Sequence, residues 1–155
     1  MRYTYLALAI LGASLLLPAF EAQETQPDFS GTWQMDATKS QTTEGDNITY
    51  TIDQSSGKVN FTRVIHARDG KDLTSKFTCD TVGTQCGFDE NGHKAKVSLW
   101  YDGPALVILK TDGPKEDSVT QWRLELSQDG KTLKVTLTHL EPVEKTETLV
   151  FDKKP

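Results

Sequence analysis

Arg63, His66, His93, His139, Cys79 and Cys86 are the residues on which any chemistry of this chain would rest. Arg63 falls in phase with Val59, Phe61 and Ile65. A guanidinium on an otherwise apolar face is costly unless an anion or an aromatic ring meets it, so Arg63 is a candidate binding group; the alternative is that it reaches solvent at a strand end. The three histidines form no His-x-His or His-x-x-x-His pair, and their spacing nominates no metal site. His139 extends the Leu133, Val135, Leu137 face and is expected either to point inward and meet a polar ligand group or to be a simple polar residue at a strand end. His93 reads as a solvated turn residue. There is no Gly-x-Ser-x-Gly elbow, no glycine-rich phosphate loop and no cysteine with a partner histidine. The carboxylate pairs Asp89-Glu90 and Glu116-Asp117 sit in turn sequence and read as solvated. These observations predict a protein that is not an enzyme, with no cofactor and no metal.

The chain begins with Arg2, an uncharged run over residues 3–20 that is densest at 6–17, and then Pro18, Ala19 and Ala22. The apolar stretch is too short to span a bilayer, so residues 1–22 read as a secretory signal peptide, with cleavage after Ala22 favoured over Ala19. An exported chain enters an oxidising compartment, periplasmic or extracellular, where Cys79 and Cys86 are expected to be disulfide-bonded across a short turn; two free thiols are the alternative. Residues 23–155 form one domain. The formal net charge of −5 and the scattered lysines leave no basic stripe for phosphates, which argues against nucleic acid and anionic membrane surfaces. No later stretch is apolar enough for a membrane span, and a monomer is expected.

The residues that would position a site lie on alternating segments. The clearest, residues 119–140, places Trp122, Leu124 and Leu126 on one face of a strand and Leu133, Val135 and Leu137 on one face of the next, with Asp129-Gly130 between them as a hairpin turn. Residues 47–54 alternate around Ile48, Tyr50 and Ile52, residues 73–79 around Leu73, Phe77 and Cys79, and residues 94–101 around Val97, Leu99 and Tyr101. Residues 105–109 are apolar on both faces, which marks a strand covered on both sides, by Trp100 or by a partner surface. Residues 144–151 read as a closing strand before a solvated Lys153-Lys154-Pro155 end. Residues 36–45 contain too few apolar residues for a packed helix and read as a loop with at most one helical turn. Eight to ten strands joined by tight turns, with no helical crossover, predict an all-β up-and-down antiparallel barrel, because closure removes the two exposed sheet edges. An open β-sandwich is the alternative.

The segment Asp28-Phe29-Ser30-Gly31-Thr32-Trp33 resembles the first-strand signature of calycins, the lipocalins and fatty-acid-binding proteins. Trp100-Tyr101-Asp102-Gly103 and the residues 126–133 are similar to those of secreted bacterial lipocalin-like proteins. The resemblance implies that Trp33 plugs the closed end of the barrel and that an arginine, Arg63 or Arg123, packs over it. It also implies a binding function. Residues 36–45 are too short for the two-helix lid of fatty-acid-binding proteins, so a plain barrel is expected.

Tyr50, Phe61, Phe77, Tyr101 and Trp122 fall on the faces assigned inward. With Arg63 and His139 they are the candidate ligand-binding residues for a small apolar or amphipathic molecule held inside the barrel. The rival is a cell-envelope interaction protein whose aromatic residues simply fill the core.

Overall fold

The computed structural model of the chain describes residues 25–45, 47–111 and 118–155. The expected signal peptide and the Glu116-Asp117 pair lie outside the described residues. The strands are β1 (Gly31–Met35), β2 (Ile48–Ser55), β3 (Lys58–Ile65), β4 (Leu73–Asp80), β5 (Val82–Glu90), β6 (His93–Asp102), β7 (Ala105–Thr111), β8 (Val119–Leu126), β9 (Thr132–Glu141) and β10 (Lys145–Lys153). Each pairs antiparallel with its chain neighbours, and β1 also pairs with β10, so the sheet closes into an up-and-down barrel and the open sandwich is excluded. No helix occurs among the described residues.

Alternation explains the interior. Ile48, Tyr50 and Ile52 of β2, Val59 and Phe61 of β3, Leu133, Val135 and Leu137 of β9, and Leu149 and Phe151 of β10 are all buried in one cluster. Each such side chain contributes about 1.5–3 kcal/mol by leaving water. β7 is buried on both faces, with Leu106 and Ile108 in the core and Val107 outside yet only 2% exposed. The cross-strand neighbours of Val107 are Trp100 and Arg123, and Arg123 is tied to Asp102 at 2.5 Å. The chain's own side chains therefore cover this outer patch.

One end is sealed by the N-terminal segment. Phe29 is fully buried, the Trp33 Nε1–H donates to the Phe29 carbonyl at 2.9 Å, and the Phe29 N–H donates to Gln54 Oε1 at 3.2 Å. The cation over Trp33 is neither Arg63 nor Arg123, which corrects the expectation drawn from the resemblance. It is Lys153, with Nζ 5.1 Å from the ring centroid. Lys153 is the direct cross-strand partner of Trp33, whereas Arg63 is two strands away with Tyr50 between, and Arg123 sits on the outer face beside Val107. Gly31 fits the same contact. Its φ is +139°, and a Cβ there would stand 2.6 Å from Lys153 Cε.

Cys79 and Cys86 are disulfide-bonded, with Cα atoms 5.6 Å apart. The segment between them is tighter than the turn expected from sequence. β5 already starts at Val82, which pairs with Trp100, and the register shift between Val82 and Gln85 absorbs the extra chain as a bulge. The β4–β5 ladder runs only from Ser75↔Glu90 to Phe77↔Phe88, so the disulfide holds the hairpin where backbone pairing stops. Replacing Cys79→Ser together with Cys86→Ser is expected to lower stability by about 2–3 kcal/mol. Urea unfolding would read this; an unchanged midpoint would mean the bridge constrains nothing.

Candidate functional site

The end of the barrel opposite Trp33 holds a cavity of about 600 Å³. Its apolar wall comprises Ile65, Leu73, Trp122, Pro142 and Val143, and its polar wall is made by Glu44, Arg63, Glu90, Lys110, His139 and Lys145. Leu73 and Val143 are exposed and form the rim. Beneath the cavity the interior is solid. Phe61 and Phe77 stack with centroids 5.0 Å apart, Phe77 meets Phe88 at 6.1 Å, and Phe88 meets Trp122 at 6.4 Å. Tyr50 closes the chain of rings against Phe61 and Phe151. The site is thus a mouth pocket on an aromatic floor.

Arg63 is 5% exposed and points inward because it keeps the phase of Val59 and Phe61. It neither stacks on an aromatic ring nor reaches solvent. Its Nη2 donates to Glu44 Oε2 at 2.5 Å, and its Nη1 stands 3.7 Å from Glu90 Oε1. Glu90 accepts from the Ser75 hydroxyl at 2.9 Å and faces Lys110 at 3.5 Å. The expectation that Asp89-Glu90 is simply solvated is corrected for Glu90, which shares the inward phase of Phe88. Lys110 Nζ also lies 5.2 Å from the Phe88 ring centroid.

The loop over residues 36–45 lies across this end. The Asp36 N–H donates to the Val150 carbonyl, the Ser40 hydroxyl accepts from the Val150 N–H, and Gln41 exchanges two backbone bonds with Thr148. Thr42 and Thr43 then converge on Glu147. The Thr42 hydroxyl donates to one carboxylate oxygen, the Thr43 N–H reaches the same oxygen at 2.9 Å, and the Thr43 hydroxyl reaches the other at 2.7 Å. Lys145 pairs with Glu147 and donates to the Thr43 hydroxyl at 2.8 Å. Burial alone would raise the Glu147 pKa, but the bonds from Lys145, Thr42 and Thr43 outweigh it and hold the carboxyl at about 2. Glu44, which follows directly, is pushed the other way. Burial raises its pKa, the Arg63 charge pulls it back, Glu147 and Glu90 add to the rise, and His139 opposes it.

Of the residues nominated from sequence, Arg63, Trp122 and His139 line the cavity. Tyr50, Phe61 and Phe77 lie below it in the packed cluster. Tyr101 lies at the far end of the barrel, where its hydroxyl accepts from Gln54 Nε2 at 2.7 Å and donates to the Pro27 carbonyl at 3.3 Å. Glu44, Glu90, Lys110 and Glu147 were not nominated. Three buried polar atoms have no hydrogen-bond partner among the described residues: Tyr50 Oη, Arg63 Nε and Trp122 Nε1. No group of three or more His, Cys, Asp or Glu among the described residues is arranged to hold a metal ion, and no helix among them is long and apolar enough to cross a membrane.

Glu147 generates a pH prediction. Its folded pKa lies below the ordinary carboxylate value, so its contribution is complete above about pH 4.5 and is lost as the pH falls toward 2. Glu147→Gln is therefore expected to cost on the order of 3 kcal/mol at pH 7 and little at pH 2. Urea midpoints of both proteins across this range would show a converging pair of curves; a constant separation would contradict the assignment.

No protein-family model and no curated protein matches the chain. Solved structures do. The apo form of lipid binding protein 8 from Caenorhabditis elegans superposes with a TM-score of 0.58 at 9% identity, over 81% of this chain and 95% of that one. The wild-type fluorescent protein UnaG gives 0.55 at 21% identity, over 81% and 97%, and a point mutant of UnaG gives 0.56 at 21%, over 82% and 96%. Identities this low establish the fold alone: the chain shares with these proteins a closed antiparallel β-barrel.

Proposed function

We propose that this chain is a non-enzymatic binding protein that takes one small amphipathic molecule in the mouth cavity. The apolar body would rest on Ile65, Pro142 and Val143, and the polar end would lie on the side of the cavity formed by Arg63 and Trp122. The observation that carries this reading is the pairing of a cavity of about 600 Å³ with a buried, inward Arg63 and an apolar wall. Volumes of this size suit drug-sized ligands. The reading differs from a ligand held deep in the lumen, because the aromatic floor leaves the interior full. That filled interior also favours the rival, an envelope interaction protein, but the outer patch on which such a partner would dock is covered by Trp100 and Arg123. One structural neighbour is a lipid binding protein, which agrees with the reading at the level of fold only.

Export, to the periplasm or the medium, belongs to the same proposal. It is supported by the leading apolar run that ends near Ala22 and by a disulfide of the kind that persists in an oxidising compartment. A kinship with secreted bacterial lipocalin-like proteins is likewise proposed, on the residues 28–33 and 126–133.

Titration of the protein with retinol, decanoic acid and the neutral probe Nile red, followed by tryptophan fluorescence, is expected to give saturable one-to-one binding by at least one of them. A Kd of about 1–100 μM is the expected range for a ligand of this size. A flat response to all three would overturn the proposal.

A further inference from the structure

The cations round the cavity are already neutralised. Arg63 holds Glu44 at 2.5 Å and stands 3.7 Å from Glu90, Lys110 faces Glu90 at 3.5 Å, and Lys145 is paired with Glu147. A carboxylate entering this site would meet Glu44 and Glu90 before it met an uncompensated positive charge. It would have to expel Glu44 from Arg63 or remain buried beside like charges, and either course is unfavourable. Two N–H groups are in the opposite condition. Trp122 lines the cavity at 6% exposure, and its Nε1–H has no acceptor among the described residues; Arg63 Nε is in the same state. The fold satisfies a buried indole elsewhere, since Trp33 Nε1 donates to Phe29 at 2.9 Å. The unmet donor therefore belongs to a residue of the cavity wall; its nitrogen is buried, and an acceptor on a ligand that reached it would complete it.

Building on the mouth-binding reading, we infer that the ligand is an electrically neutral molecule with a carbonyl acceptor on an apolar body, an ester, amide or ketone rather than a carboxylate. Trp122 donates to that carbonyl through its indole N–H. The Glu44–Arg63 ion pair stays closed while the ligand is bound, acting as a charge filter against acids.

The test uses three compounds with one chain length, methyl decanoate, decanamide and decanoate, in calorimetric titrations at pH 7 with the full protein. The ester and amide are expected to bind about tenfold more tightly than the acid. In ¹H–¹⁵N spectra the Trp122 indole resonance is expected to move downfield with the neutral compounds while that of Trp33 stays in place. Glu44→Gln leaves Arg63 less compensated, so it is expected to strengthen decanoate binding by about tenfold. Decanoate binding as well as the ester, an unmoved Trp122 indole, or no gain from Glu44→Gln would overturn the inference while the mouth-binding reading stood. Absence of binding by all three compounds would overturn the inference, and a flat response to retinol and Nile red as well would overturn the mouth-binding reading with it.

Discussion

Trp33, Gln34 and Met35 of β1 lie opposite Lys153, Asp152 and Phe151 of β10, and this short ladder joins the two ends of the sheet. Without it the remaining strands would present two unpaired edges, and the apolar faces that now meet across the barrel would have no common interior. The same ladder sets Lys153 over the Trp33 ring and draws the segment around Phe29 beneath it, so closing the sheet and sealing one end are a single event. The buried charged groups Arg63 and Glu147 lie toward the other end, beyond the packed core.

At that other end the balance between filling and access is set by aromatic packing. Phe61, Phe77, Phe88 and Trp122 make a continuous row of rings, so the lumen is occupied by the protein's own side chains up to the level of Arg63. Above it lie paired charges, which cost little only because each has its partner close by. Arg63 with Glu44, and Glu147 with Thr42 and Thr43, show the same arrangement, a barrel residue matched to the loop at residues 36–45. The loop thus supplies in ten residues what a helical lid would supply in a longer chain.

Most of the strands were legible because alternation with period two survives in almost every one, as in Ile48, Tyr50 and Ile52, and because turns such as Asp129-Gly130 punctuate them. The closed barrel followed from the sequential hairpins. The site was legible only in part. Arg63 and His139 were found by phase against apolar neighbours, and the same test applied to Lys110 beside Leu106 and Ile108, or to Glu147 beside Leu149 and Phe151, would have found two more. Glu44 carried no such signal. It lies in an aperiodic loop, and its meeting with Arg63 is a long-range contact that only the folded register creates. Lys153 was read as solvated, and it is exposed; its place over Trp33 comes from strand pairing that continues beyond Phe151, where the apolar pattern of β10 ends.

The loop at residues 36–45 is held by its backbone to β10 and by its side chains to one carboxylate, Glu147, yet the barrel's apolar interior draws almost nothing from it. The loop is therefore fastened by polar bonds rather than by apolar packing, and a change to one of its threonines acts on the loop's hold on β10 without opening a void in the core.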